Sequence, residues 1–126
     1  MTPDGLFYTK THEWARVEGD AVYVGITDYA QSELGDMVFI ELPSPGREVS
    51  VGEAFATIEA VKAVSDVYSP VSGEIVEVNE TLRTAPDTVN KDPYGDGWMV
   101  KIKMSNPAET EELISSEDYK KLIGEL

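Results

Sequence analysis

The fold depends most on residues 52–64, which read Gly52-Glu53-Ala54-Phe55-Ala56-Thr57-Ile58-Glu59-Ala60-Val61-Lys62-Ala63-Val64. Every third residue from Phe55 to Val64 is apolar, and alanines fill many of the positions between. This period, together with the helix propensity of alanine, favours a helix. If the stretch formed a pair of strands instead, Lys62 would lie near the turn between them. The residues alone favour the helix and leave the strand pair open.

The segments on either side of this stretch read as short strands separated by turns. Alternating apolar residues predict strands at Phe7 to Val17, Ala21 to Ile26, Met37 to Leu42, Gly73 to Val78 and Trp98 to Met104. Turn-forming residues divide them, such as Glu18-Gly19-Asp20 and Pro43-Ser44-Pro45-Gly46. The body of the chain is therefore predicted to be mainly β.

Helices are predicted in two places. Thr27 to Leu34 reads as a short internal helix, with Thr27 as its N-cap and Gly35 as its C-terminal stop. In the tail, Asn106 is predicted to cap one helix, and Ser115 or Ser116 to cap a second. The predicted outline is a compact β domain with a helical C-terminal appendage.

Length and charge limit the classes of function. The 126 residues suit one domain, spanning positions 1–126. The formal charge of -14, from 24 acidic residues against 10 basic ones, would be repelled by a phosphate backbone, so nucleic-acid binding is a poor fit. An acidic surface suits docking onto basic patches of partner proteins, or serves solubility alone.

Residue types that are missing exclude several kinds of chemistry. The chain has no cysteine, which rules out disulfides, thiolate zinc sites and thiol nucleophiles. Its single histidine, His12, makes a histidine-based metal cluster or a catalytic triad a poor hypothesis, so His12 is predicted to be structural and no metal is expected. No segment is long and apolar enough to span a membrane. Residues 1–8 show no signal or transit pattern, which predicts the cytoplasm of a microbe or the mature form of an organelle matrix protein.

Five blocks of the chain, in order, resemble the glycine cleavage H proteins. They are Tyr8-Thr9-Lys10-Thr11-His12-Glu13-Trp14, Gly25-Ile26-Thr27-Asp28-Tyr29-Ala30-Gln31, Leu34-Gly35-Asp36, the stretch from Ile58 through Lys62 to Glu74, and Val89-Asn90-Lys91-Asp92-Pro93-Tyr94-Gly95-Asp96-Gly97-Trp98. The similarity runs from about Phe7 to Leu122 with family-like spacing. One departure lies beside the key lysine, because the family usually has serine where this chain has Ala60.

The resemblance implies a barrel-sandwich hybrid fold of the lipoyl-domain type, with Lys62 at an exposed hairpin tip. The helix reading of residues 52–64 would then be wrong. It also implies that lipoic acid is attached covalently to Lys62 through an amide. Such an attachment needs a primary amine on a flexible stem, which lysine supplies and arginine does not.

The resemblance further implies a cleft that receives the lipoyl arm. The positions that match it here are Thr11, Glu13, Ile26 and Asp66. Two carboxylates suit a small ammonium group through charge-assisted hydrogen bonds. The alternative is that three of these residues are solvated strand-end polar groups and Ile26 is simply a core residue.

The resemblance implies a carrier and not an enzyme by itself. The resemblance implies that it carries an aminomethyl group from a pyridoxal-phosphate glycine decarboxylase to an aminomethyltransferase. Dihydrolipoamide dehydrogenase would then reoxidise the arm, and a lipoyl ligase or transferase would attach it. No nucleic acid and no membrane belongs to this set of partners.

Three alternatives stay open at this point. An H-like relay would supply lipoyl groups to other complexes, and a lipoyl-transfer assay separates it from glycine cleavage. A biotin carrier usually has methionines beside its lysine, whereas Val61 and Ala63 stand there in this chain. A small enzyme would use Glu13 and Asp66 as a general acid and base.

Overall fold

The computed structural model of the chain describes residues 2–125, which contain two antiparallel β-sheets and a few short helices. The strands are β1 (Phe7–Tyr8), β2 (Glu13–Glu18), β3 (Ala21–Ile26), β4 (Met37–Glu41), β5 (Glu48–Val49), β6 (Ala54–Ala60), β7 (Val64–Tyr68), β8 (Gly73–Val78) and β9 (Val100–Met104). One sheet has six strands in the order β1-β2-β3-β9-β8-β5, and the other has three in the order β4-β6-β7.

The two sheets enclose one main hydrophobic core. Val24, Ile75 and Ile102 from the larger sheet are fully buried in it, as is Ile58 from the smaller sheet. Each sheet keeps its own edge strands, so the sheets form a sandwich and not one closed barrel. The predicted mainly β, barrel-sandwich architecture is confirmed.

The helix favoured for residues 52–64 is wrong, because these residues form β6, a tight turn and the start of β7. β6 is the central strand of the smaller sheet and is hydrogen-bonded to β4 on one side and β7 on the other. Phe55 and Ile58 are buried, whereas Val61 and Val64 are exposed, so the three-residue period does not follow the buried face. Tertiary strand pairing overrides the local helix propensity here.

The single strand predicted from Phe7 to Val17 is also wrong, because a tight turn divides it into β1 and β2. In that turn the Thr9 carbonyl accepts the His12 N–H at 3.1 Å, and the Thr9 N–H donates to the Glu13 carbonyl at 3.0 Å. His12 has a φ of 74°, a left-handed conformation that is unusual for a residue with a side chain. The turn folds β1 back onto β2.

The helix predictions have mixed outcomes. α1 (Asp28–Leu34) has the predicted N-cap, since the Thr27 hydroxyl accepts the Ala30 N–H at 3.2 Å, and it ends at Gly35. The last helix, Ser116–Leu122, is capped by Ser115 through the Asp118 N–H. Asn106 makes no side-chain capping bond, and the six residues after it, Pro107–Glu112, form a 3-10 helix, so that capping prediction is wrong.

Two single-turn helices lie between β8 and β9 and were not predicted. They are α2 (Thr81–Thr84) and α3 (Thr88–Lys91), which makes the C-terminal helix α4. Four residues each are too few to show a helical period in the sequence. Leu82 and Val89 anchor them in the core. Across residues 2–125, no helix has the length and apolar character to cross a membrane.

Candidate functional site

Lys62 lies at the tip of the hairpin that joins β6 to β7. The Ala60 N–H donates to the Ala63 carbonyl at 2.9 Å and closes the turn, which leaves Val61 and Lys62 as the two loop residues. Residues 61–64 are all exposed. The strands therefore hold the base of the lysine while its side chain reaches solvent.

The hairpin tip is docked against the turn between α1 and β4. The Val61 N–H donates to the Asp36 carbonyl at 2.9 Å, and the Lys62 N–H donates to the Leu34 carbonyl at 3.3 Å. The stem of Lys62 passes over Gly35, where an added Cβ would lie 3.3 Å from the lysine Cγ. Gly35 also has a φ of 83°, a conformation that side chains rarely adopt. The backbone of the tip is thus fixed by an element other than its own two strands.

Glu13 is buried at the start of β2 and is already hydrogen-bonded. Its Oε1 accepts the hydroxyls of Thr9 and Thr11, both at 2.5 Å, and its Oε2 accepts the Tyr68 N–H at 3.1 Å. The side chain is 1% exposed. Glu13 therefore joins β2 to the far end of β7, and its carboxylate is held by three donors.

Ile26 and Asp66 lie on the strands that neighbour Glu13, on β3 and β7. Ile26 is buried and lies directly opposite Glu13 in the β2–β3 register. Asp66 is exposed on β7, where its Oδ1 accepts the Thr57 hydroxyl at 3.1 Å. It lies two residues before Tyr68, on the same face of the strand.

The structure brings two of the four predicted cleft residues into direct contact and leaves the other two outside the same cavity. Thr11 and Glu13 are in direct contact and line a cavity of about 280 Å³, together with Tyr68 and Leu113. Ile26 and Asp66 are not part of the lining of that cavity. Asp66 is the exposed carboxylate of the set, and Glu13 is the buried one.

Comparison with known proteins identifies the family. The family model described as "Glycine cleavage H-protein" matches residues 6–126. The chain belongs to the glycine cleavage H-protein family. Membership gives it the lipoyl-bearing shuttle role of the glycine cleavage system.

Individual H proteins match over nearly the whole chain. A glycine cleavage system H protein from Rubrobacter xylanophilus is 58% identical over 98% of this chain and 95% of its own length. One from Carboxydothermus hydrogenoformans is 54% identical over 99% and 96%. A crystal structure of an H protein from Mycobacterium marinum has a TM-score of 0.89 at 40% identity, covering 97% of this chain and 98% of that one.

Two residues bear on the hairpin tip in a way that the sequence does not predict: Gly35, expected only as a helix stop, and Asn90. Gly35 lies under the Lys62 stem, and Asn90 in α3 bonds the turn that holds the tip. Both fall in blocks that resemble the family, but nothing in their local pattern connects them with Lys62, which is far away in sequence. The connection comes from the docking of the hairpin tip over Gly35 and from the packing of α3 beside α1.

Proposed function

We propose that Lys62 is the residue through which this H protein carries lipoic acid, and that one carrier domain spans residues 1–126. The observation that supports the proposal most is the placement of Lys62, an exposed primary amine on a two-residue tip with a hydrogen-bonded backbone. Such a tip offers the amine to an attaching enzyme while the body of the hairpin stays rigid. The residues present fit an amide-linked arm.

The chain's own part in the reaction is to position the lipoyl arm and to shelter its cargo. When bound through an amide to Lys62, lipoic acid supplies a disulfide that takes up an aminomethyl group and is later regenerated from the dithiol. The hairpin holds the base of the arm, and tethering raises the local concentration of the cargo at each docked enzyme. This chain has no cysteine, so it holds no thiol of its own that would exchange with such a disulfide.

The partners we propose are the enzymes that work on such an arm. A pyridoxal-phosphate glycine decarboxylase delivers the aminomethyl group, an aminomethyltransferase removes it, and dihydrolipoamide dehydrogenase restores the disulfide. A lipoyl ligase or transferase attaches the arm to Lys62. The H protein itself is a carrier and supplies no catalytic residue.

We also propose that Thr11, Glu13, Ile26 and Asp66 form the cleft that receives the loaded arm. Asp66 lies four residues after Lys62, so the two Cα atoms are at most about 13 Å apart even for extended chain, a distance that an acylated lysine stem can bridge. Glu13 fixes the Thr11 hydroxyl, Ile26 is the apolar residue opposite Glu13 on β3, and Asp66 presents negative charge towards solvent. The arrangement suits a small ammonium group at the end of an apolar chain.

Intact mass spectrometry of the protein after exposure to an active lipoyl ligase tests the attachment site. We expect one lipoyl increment, mapped to the peptide that contains Lys62 and missing from Lys62→Arg, because the guanidinium keeps the charge but does not form the amide. Lys10→Arg is the matched control at another exposed lysine and should gain the increment as wild type does. A biotin adduct, or an unmodified wild-type protein, would show the proposal to be wrong.

A further inference from the structure

We propose that Asn90 is a positioning residue for Lys62, although the two are far apart in sequence and in different elements. The inference rests on the proposed attachment of the lipoyl group to Lys62. Its basis is a continuous set of hydrogen bonds from Asn90 through the turn at residues 34–37, here called the docking turn, to the hairpin tip.

The Asn90 side chain makes hydrogen bonds to the docking turn with both its amide oxygen and its amide nitrogen. Its Oδ1 accepts the Met37 N–H at 2.9 Å. Its Nδ2 donates to the Gly35 carbonyl at 3.0 Å and to the Gln31 Oε1 at 2.9 Å. One half-buried amide thus holds the last turn of α1, the docking turn and the first residue of β4 together.

The hairpin tip is hydrogen-bonded to two other carbonyl groups of the docking turn. The carbonyls of Leu34 and Asp36 accept the N–H groups of Lys62 and Val61. The Gly35 carbonyl, which lies between them in sequence, is the one bound by Asn90. The carbonyls of Leu34 and Asp36 therefore bind the hairpin tip, and the carbonyl of Gly35 between them binds Asn90. Loss of the Asn90 bond would therefore shift the two carbonyls that hold the tip.

Gly35 makes this arrangement sensitive to small movements. Its φ of 83° and ψ of -161° are open to glycine and strained for other residues. A glycine backbone is also free to leave this conformation, so it depends on outside bonds to stay there. Because the Lys62 stem passes over Gly35, a shift of the turn changes where the amine is presented.

A purely structural role for Asn90 gives a different expectation. If Asn90 only ties α3 to α1, its loss lowers thermal stability but leaves the folded protein an equally good substrate for lipoylation. If it positions Lys62, the folded variant is modified more slowly, because small misplacements of a reacting group reduce the rate of the chemical step.

The test compares Asn90→Asp with Asn79→Asp in the full-length unmodified protein. Asn79 is a matched control, because its Nδ2 also donates two hydrogen bonds, to the carbonyls of Asp96 at 2.8 Å and Trp98 at 2.7 Å. Each substitution removes the two N–H donors of the amide and places a carboxylate oxygen against a backbone carbonyl. The rate of lipoylation by a lipoyl ligase is followed by intact mass, at a temperature where circular dichroism shows both variants folded.

For Asn90→Asp we expect kcat for lipoylation to fall by about fivefold or more, the equivalent of roughly one lost hydrogen bond, with KM changed by less than about twofold. Asn79→Asp should match wild type in both constants. Amide hydrogen exchange at Val61 and Lys62 should be faster in the Asn90 variant only.

Equal kcat for the two variants, or unchanged exchange at the tip, would overturn the positioning role. Wild-type protein that is not modified at Lys62 would instead overturn the proposed function, so the two failures are distinct. If Asn90→Asp does not fold, the pair Asn90→Ala and Asn79→Ala, which introduces no charge, gives the same comparison and the same outcomes.

Discussion

At the scale of single residues, the two carboxylates of the proposed cleft have different environments and should behave differently. Glu13 is buried and accepts three hydrogen bonds, so its charge is needed by its own neighbours. Asp66 is exposed and accepts one from Thr57. We infer that Glu13 organises the cleft and that Asp66 supplies the charge that a bound ammonium group meets.

Asp66→Asn should shorten the lifetime of the aminomethyl-loaded protein without lowering its stability. The amine's lone pair drives loss of the cargo from sulfur, and a nearby carboxylate keeps that amine protonated. Because Asp66 is exposed and screened by solvent, the decay rate of the isolated loaded protein should rise only about two- to fivefold. Asp36→Asn removes an equal charge near the tip and is the control. Equal decay rates in all three proteins would exclude Asp66 from the mechanism.

Glu13→Gln, unlike Asp66→Asn, should lower the stability of the protein. One carboxylate oxygen would become an amide nitrogen, which faces either the two Thr hydroxyls or the Tyr68 N–H in place of an acceptor. A buried mismatch of this kind costs about 1–3 kcal/mol of unfolding free energy. Chemical denaturation measures the loss directly. A variant as stable as wild type would show that the three donors do not depend on the carboxylate.

At the scale of elements, the N-terminal turn and the C-terminal helix are clasped together. The Tyr119 hydroxyl in α4 lies 2.7 Å from His12 Nδ1 and 2.8 Å from Thr27 Oγ1. The Tyr119 ring also stacks on Tyr8 of β1, with 4.7 Å between ring centroids. These contacts hold α4 against the turn before β2, which begins at Glu13.

The clasp should make stability depend on pH through His12. Burial lowers the pKa of His12, and the nearby carboxylates Glu13 and Glu33 oppose that shift only in part. The unfolded chain, with a histidine pKa of about 6.5, then binds more protons than the folded one below that pH. The His12 contribution is therefore constant above about pH 6.5 and is lost as the pH falls towards the lowered folded pKa.

The comparison is between wild type and His12→Asn, since asparagine tolerates the left-handed backbone at this position. Thermal melts from about pH 7.5 to 5.5 should show the Tm of wild type falling more steeply than that of the variant, because only wild type takes up this proton on unfolding. Tyr29, whose ring contacts His12, is unchanged in both proteins. Parallel Tm profiles would contradict the role given to His12.

At the scale of the whole molecule, acidic charge and exposed apolar side chains share the outer face of the smaller sheet. Phe39, Glu59 and Val64 are paired across β4, β6 and β7 in one row, and Glu41, Thr57 and Asp66 in another. The apolar side chains of Phe39, Val61 and Val64 are exposed. The acidic side chains of Glu41, Glu59 and Asp66 are exposed as well. In a chain with a net charge of -14, this face around Lys62 suits a partner with basic residues around an apolar surface.

Binding of the lipoylated protein to the aminomethyltransferase, one of the partners we propose, should therefore weaken as salt rises. Charges are screened over about 8 Å at physiological ionic strength, so the Kd should increase steadily from about 0.05 to 0.5 M salt. The double variant Glu41→Gln, Glu59→Gln should show a shallower salt dependence. Glu18→Gln, Asp20→Asn removes two exposed charges from the larger sheet, at the end of β2 and in the turn after it, and should behave as wild type. A Kd that stays flat with salt in wild type would count against charge-guided docking.

The sequence by itself determined much of the local structure and the central residue of the proposed site. The apolar alternation of β3, β4 and β8 and the caps at Thr27 and Ser115 were readable because each depends on residues close together in the chain. Lys62 was found through ordered blocks of family-like sequence. Lys62 as the attachment site, and the cleft of four residues, are proposals.

Only the tertiary structure decided the conformation of residues 52–64, the break at His12 and the contacts of the hairpin tip. β6 is a strand because β4 and β7 satisfy its backbone groups on both sides, a gain that local helix propensity does not contain. Asn90 likewise has no local pattern that connects it with Lys62. It reaches the docking turn because α3 packs beside α1, and long-range contacts of that kind have no signature in neighbouring residues.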